Sequence, residues 1–420
     1  MLFKFIVAIS ILFPLVGIWL MEGGAYGGSI GQRGYPNGAT RAYLIYYVAV
    51  ALFTMRTLQR AGTFRRAGWR RGTYSLRHPW RINFWCTLCM CAMLAFLLYG
   101  LGGINNYYGL TNSGTFRASL TGFSAAIGSI ILKYIAPAMF AFVLMTNVAW
   151  NPKLVWSRAV LMLSVVMMLI SGSYGFKSSF VLALLPAGIL YCWRSSPWVL
   201  APLGFVAMCF ILFGYIFFAG SASVGVALGQ MTDRLFVLQG DVPWLMWTRY
   251  ADDGPFPPYS DTLLPVAGDR IFSFLTGITA ADERAWIMSH FGSMMTSLSG
   301  FSDEAIMGGH ANTGTVFSEG LVAGGIFGVL IFAVFAGALV NWLYNFINNK
   351  LKANDFAAAA VAAAYFVNAG MAWLLAGGIQ SAVHISMLVL IPGTYVILDM
   401  IRGRPDRVRK PPAPATVTAS

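Results

Sequence analysis

The strongest constraint on this chain is a repetition of apolar runs about 17–22 residues long, enough for a helix to cross a hydrocarbon core of about 30 Å. They fall at roughly 3–20, 42–56, 83–101, 128–149, 159–173, 178–193, 198–218, 320–345, 356–376 and 384–401. Backbone inside lipid has no water to satisfy its N–H and C=O groups, so each run predicts a helix. A soluble domain carries about a quarter charged residues; this chain carries 10%, with 58% hydrophobic. The expected fold class is all-α: a polytopic membrane protein of about ten transmembrane helices with one large periplasmic loop. Pro14, Pro137, Pro186, Pro202 and Pro392 fall inside the runs and predict kinks.

Basic residues give the orientation. Arg56, Arg60, Arg65, Arg66, Arg70, Arg71, Arg77 and Arg81 crowd the connection after the second run, which the positive-inside rule places in the cytoplasm. Alternation from there puts 19 of the 28 Lys and Arg on the cytoplasmic side, against three of the 15 acidic residues (Asp355, Asp399, Asp406). The chain is thus expected in a cell inner membrane, multi-pass, with both termini cytoplasmic. Spans one to seven and a basic loop at 56–82 occupy 1–218; a partly helical periplasmic loop occupies 219–319; spans eight to ten occupy 320–401. Residues 402–420 read as a disordered tail. The first run could instead be a signal peptide, since Lys4 precedes it, but no small-x-small cleavage site follows. The net charge of +13 raises nucleic acid as a partner; topology accounts for those charges, so none is expected. The 56–82 stretch could also meet anionic lipid.

Chemistry is expected in the 219–319 segment. A structureless connector longer than about 15 residues is uncommon unless functional, and this one holds 11 of the 15 acidic residues. It also carries Arg234, Arg249, Arg270, Arg284, His290 and His310, with Trp244, Trp247, Tyr250, Tyr259 and Trp286. Thr279-Ala-Ala-Asp282 reads as a helix cap before Trp286, Ile287, Phe291, Met294, Met295 and Leu298 at helical spacing. Arg117, Lys177 and Lys133 fall toward the same leaflet; Lys133, one turn inside a span, either snorkels or pairs with an anion. Guanidinium groups grip phosphate oxygens in bidentate fashion, and aromatic faces stack on sugars. Together they suit a substrate with an anionic anchor and a neutral sugar part. Asp252-Asp253 could hold a metal, but Tyr250-Ala-Asp-Asp-Gly-Pro-Phe-Pro-Pro-Tyr259 reads as a proline-braced turn without EF-hand spacing, and no metal is expected. Cys86 and Cys89 have redox-like C-x-x-C spacing but lie inside an apolar run with no His or Asp nearby, so they read as packing residues.

The sequence Gly308-Gly-His310-Ala-Asn312-Thr-Gly-Thr-Val-Phe-Ser-Glu319-Gly320-Leu-Val-Ala-Gly324-Gly325-Ile-Phe-Gly328 closes this segment. It resembles the His-Asn … Glu-Gly … Gly pattern that follows the major periplasmic loop in the O-antigen polymerase/ligase superfamily. Ser171-Gly-Ser-Tyr-Gly resembles that family's Ser/Thr-Gly-Ser-Arg-Gly turn, with Tyr174 in place of Arg and Lys177 as a substitute charge. The motifs cover about thirty residues, and the likeness is greatest to Wzy-type repeat-unit polymerases. The resemblance implies a GT-C-like, cofactor-free glycosyltransferase acting on undecaprenyl-pyrophosphate-linked oligosaccharide in exopolysaccharide or O-antigen synthesis. Membrane lipid, a chain-length regulator and export proteins are the implied partners. His310 would be the base, with Glu319 the alternative; Arg249, Arg270 and Arg284 would bind pyrophosphate or sugar, with Arg117 and Lys177 on the opposite wall. An O-antigen ligase, a lipid-linked sugar flippase and a membrane acyltransferase are the other readings.

Overall fold

The computed structural model describes residues 2–63, 79–107, 122–173, 179–195, 224–256, 266, 273–274, 277, 290–307, 312 and 314–403. The apolar runs on these residues are helical, and the run 198–218 lies outside them. In chain order the helices are α1 (Leu2–Glu22), α2 (Ala39–Ala42, continuing through the π-helical Tyr43–Ala49 into Val50–Ala61), α3 (Trp80–Gly100) and α4 (Ala126–Trp150). There follow α5 (Arg158–Ser173), α6 (Ser179–Arg194), α7 (Val224–Thr232, continuing through the π-helical Asp233–Val237 into Leu238–Asp253) and α8 (Phe291–Leu298). The last are α9 (Asp303–Met307), α10 (Val316–Lys352), α11 (Phe356–Ala376) and α12 (Met387–Arg402). Among the described residues six helices are long and apolar enough to cross a membrane: α1, α3, α4, α10, α11 and the stretch Ile379–Arg402 that contains α12. The α2 run is helical too, but with Arg41, Arg56 and Arg60 along it, it is not one of the six.

The side chains these helices turn outward fit a lipid surround. On α3, Trp80 is 65% exposed and Tyr99 74%, with Phe84 and Leu88 exposed between them. Nineteen residues of rise separate Trp80 from Tyr99, about 28 Å, so the two rings bracket a hydrocarbon layer as interfacial aromatics do. Leu388 and Val389 of α12 are 74% and 76% exposed and Phe327 of α10 is 80% exposed. Soluble monomers do not leave so much contiguous apolar surface to water.

The chain divides into two compact units, one of residues 1–64, 192–344 and 365–392, the other of 65–191, 345–364 and 393–420. In the first, α1 and α7 touch backbone to backbone. A Cβ on Gly17 would lie 2.1 Å from the Phe236 carbonyl oxygen, and one on Gly240 would lie 2.1 Å from the Gly17 carbonyl carbon. Phe13 and Phe236 pack edge to face at 5.0 Å. The start of the segment read as an outer loop therefore runs beside α1, well before that helix ends at Glu22. Beyond α1 the chain makes a two-stranded antiparallel ribbon, β1 (Tyr26–Gly27) with β2 (Gln32–Arg33). The next stretch is stitched to α7: the indole N–H groups of Trp244 and Trp247 donate to the carbonyls of Tyr35 and Asn37, each at 3.1 Å. The Asn37 amide donates to the Thr248 hydroxyl at 2.6 Å and accepts from Ala39 N–H at the start of α2.

α10 is not one rod. Gly325 has φ +59, outside the helical region, and the helix breaks at Gly324–Gly325. The two arms fold against each other: a Cβ on Gly320 would meet the Val329 backbone at 2.6 Å, and one on Gly328 would meet the Gly320 oxygen at 2.1 Å. In a straight helix those positions stand about 12 Å apart along the axis, so 316–323 doubles back on the long arm. The sequence reads 320–345 as a single span; the structure starts the membrane-length arm after the glycine pair instead. At the far end of α11, Gly377 and Gly378 (φ +72 and +77) turn the chain into the short helical turn Ile379–Ala382.

In the second unit, Asn83 of α3 and Asn147 of α4 exchange amide hydrogen bonds at 3.1 and 2.7 Å. Asp355, which caps α11, accepts from Lys350 Nζ and Arg402 Nη1 at 3.1 Å each, and Arg402 also pairs with Asp399. In the fold these four residues form one cluster.

Candidate functional site

Glu319 is wholly buried and ties two helix breaks together. It stands in the short arm of α10, where Thr315 and Ser318 exchange hydroxyl–amide bonds at 3.4 Å that cap the helix start. One carboxylate oxygen accepts from the Trp373 indole N–H at 2.7 Å; the other accepts from Ile379 N–H at 2.6 Å, just past Gly377–Gly378. The same carboxylate thus fixes the re-entrant arm of α10 and the α11 exit. Phe291, the first residue of α8, wedges into this junction: Cβ atoms on Gly377 and Gly314 would lie 2.4 and 3.0 Å from its ring.

Asn312, two residues beyond His310, is buried and held on both sides. Its backbone N–H donates to the Thr296 hydroxyl of α8 at 2.6 Å, and its amide donates to the Ser29 carbonyl at 2.9 Å. Ser29 N–H in turn donates to Asp241 at 2.9 Å, and Val242 N–H donates to the other oxygen of that carboxylate at 2.7 Å. Burial pushes the Asp241 carboxyl above its usual range, and those N–H donors pull it partly back. The ribbon loop, α7, α8 and Asn312 thus share one buried polar chain.

Beside it lies a row of rings. Trp247 packs at 6.5 Å from Tyr46 and 6.0 Å from Tyr250, with planes inclined 30° and 37°. Phe317, two residues before Glu319, backs Trp247 at 6.3 Å. The Tyr250 ring covers the α10 break, where a Cβ on Gly325 would strike it at 2.6 Å. Arg249, part-exposed, sits between Thr248 and Tyr250 on α7.

Of the residues singled out from sequence, Glu319 and Arg249 fall here. His310, Arg117, Lys177, Arg270 and Arg284 lie outside the described residues, as do Thr279–Asp282, Trp286 and Tyr259. The helix expected around 286–298 is present as Phe291–Leu298, with Phe291 and Met295 buried and Met294 part-exposed. Two readings change. The start of the stretch read as a turn, Tyr250–Asp253, is helix: α7 continues to Asp253 and stops at Gly254 (φ +81), a bend follows at Pro255, and 257–259 lie outside the described residues. Ser171–Ser173 are still helical, so any turn there begins later. Among the described residues no three His, Cys, Asp or Glu side chains gather as a metal site. Sequence reasoning missed Trp373, Asn37 and His384; a Trp in an apolar run and an Asn after a short ribbon look like ordinary packing until their partners, 54 and 211 positions away, are known.

Fold and apolar surface together define an all-α protein built to sit in a membrane, with two glycine breaks tied together by one buried carboxylate. No protein-family model matches the chain, and no curated protein or solved structure matches it either.

Proposed function

We propose that this chain polymerises undecaprenyl-pyrophosphate-linked oligosaccharide repeat units at the periplasmic face of the inner membrane. In this reading it has ten spans, cytoplasmic termini and a GT-C-like plan. The supporting observation is that the motif residues do separate jobs in one place. Asn312 ties the Ser29 loop to α8, Glu319 locks the α10 and α11 breaks, and Gly320 and Gly328 let the α10 arms close. Tyr46, Trp247 and Tyr250 offer faces for sugar rings beside Arg249.

The acceptor hydroxyl oxygen attacks the anomeric carbon of the donor glycan. The bond from that carbon to the pyrophosphate oxygen breaks, and its electron pair leaves with the pyrophosphate. Arg249, Arg270 and Arg284, with Arg117 and Lys177, stabilise the charge that grows there. His310 takes the hydroxyl proton late in the transfer. Glu319, with both oxygens engaged inside the fold, is assigned to positioning instead of proton transfer.

The broken helices favour a second reading, a lipid-linked sugar flippase, because transporters use discontinuous helices. Depth argues against it. Transporter breaks lie near the midplane, whereas 27 residues of α10, about 40 Å of helix, separate Gly325 from Lys352.

Lipid-linked glycans from a deletion strain separate the readings. Loss of a polymerase leaves single repeat units on the carrier, loss of a ligase leaves long lipid-linked polymer, and loss of a flippase traps units on the cytoplasmic side. His310→Ala is expected to express normally and stop chain extension; wild-type polymer from it would overturn the site.

A further inference from the structure

His384 is the one imidazole whose described surroundings combine a fixed ring with exposed apolar neighbours. It lies in the turn between Ile379–Ala382 and α12. Its Nδ1 accepts from Ser386 N–H at 3.1 Å and lies 2.7 Å from the Ser386 hydroxyl. A backbone N–H can only donate, so Nδ1 is the acceptor, and the neutral ring carries its proton on Nε2. Among the described residues Nε2 has no partner, and the residue is part-exposed.

The turn that holds the ring is anchored throughout. Ile379 N–H donates to Glu319, the Tyr365 hydroxyl donates to the Ala382 carbonyl at 2.6 Å, and Ile385 N–H donates to the Val266 carbonyl at 2.9 Å. The last bond joins the turn to the long 219–319 segment. Next to it along the chain, Val383 and Ile385 are exposed, and Leu388 and Val389 more so. An N–H donor with exposed aliphatic residues beside it in the chain, on a protein built to sit in a membrane, is matched by a phosphate that carries its own hydrocarbon chain. Leu388 and Val389 lie on a helix whose outward side chains fit a lipid surround, so a phosphate that reaches this donor arrives on a hydrocarbon chain.

We propose that His384 binds the phosphate of a polyprenyl-phosphate lipid, Nε2–H donating to a phosphate oxygen while Val383, Ile385, Leu388 and Val389 take the first isoprene units. The inference rests on the lipid-linked substrate of the proposed function and adds to it a residue and a place of entry, beside the junction that Glu319 holds.

The test uses the full chain in nanodiscs of neutral lipid, titrated with a short-chain polyprenyl phosphate, the matching polyprenol, phosphatidylglycerol and inorganic phosphate. A hydrogen bond to a charged group is worth enough for roughly a tenfold or greater loss of affinity on removal. His384→Ala is expected to weaken polyprenyl-phosphate binding by about that factor, leaving polyprenol binding and the melting temperature unchanged. His384→Gln, which keeps an N–H near Nε2, is expected to recover part of it. Equal polyprenyl-phosphate affinity in wild type and His384→Ala overturns the assignment and leaves the polymerase reading standing. Binding of phosphatidylglycerol or inorganic phosphate that matches polyprenyl phosphate and is equally lost in the variant also overturns it, by making the site a general anion site. No binding of polyprenyl phosphate by wild type overturns both.

Discussion

Removing the Glu319 carboxylate is the sharpest test of how the two helix breaks are held. Glu319→Ala leaves the buried Trp373 indole N–H and the part-buried Ile379 N–H without this acceptor. Each orphaned donor costs about 1–3 kcal/mol, so the variant is expected to lose about 2–6 kcal/mol from these two bonds. Glu319→Gln is less damaging but not silent. Its amide oxygen serves one donor, its NH2 must face the other, and about 1–3 kcal/mol is lost. Trp373→Phe removes the competing donor while keeping a ring against Phe332 and Phe335. In that background the Gln NH2 no longer confronts an N–H, so the second change costs less than it does alone. The expected coupling is about 1–2 kcal/mol. Thermal unfolding of the purified protein in detergent, run on the four members of the cycle and on Glu319→Ala, measures this. Strict additivity, or a Glu319→Gln melt that overlays wild type, would refute the reasoning.

At the α1–α7 contact, Gly240→Ala places a methyl about where the Gly17 backbone lies, so the helices must part. Loss of a monodisperse peak in detergent size exclusion is expected, whereas Gly229→Ala, with nothing near its Cβ, is expected to behave as wild type. Asp355→Ala takes away the carboxylate that Lys350 and Arg402 share, Arg402 keeping Asp399, and is expected to cost about 3–5 kcal/mol; adding Lys350→Met should return part of that stability, and a double variant no better than the single would contradict the ion-cluster account. Asp241 has a folded-state pKa raised by burial, so its contribution to stability is full below the unfolded carboxyl pKa and falls as pH rises through the folded value. The melting temperature is expected to fall over that rise in pH, and Asp241→Asn should flatten the trend; an unchanged slope would contradict it.

Much of the architecture is legible in the sequence because lipid imposes a one-dimensional rule. A segment that leaves water must be apolar for about 20 residues and must satisfy its own backbone, and both demands can be read locally. The apolar runs on described residues are accordingly helical. Glycine pairs are legible in part: Gly324–Gly325 was marked by a motif, but its meaning was a fold-back, which depends on Gly320 meeting Gly328. That Asp252-Asp253 continues a helix was hidden by the prolines that follow.

What only tertiary structure decides is which polar groups find one another across the chain. Glu319 bonds a residue 60 positions on, Asn312 one 283 positions back, and Asp241 one 212 positions back. Hydropathy cannot carry that information, since a buried polar side chain has the same local pattern whether its partner is near or far. By itself the sequence determined that this chain enters a membrane and roughly where. The fold alone determined that Glu319 holds two broken helices together, because a buried carboxylate must gather its donors from whatever packing brings within reach.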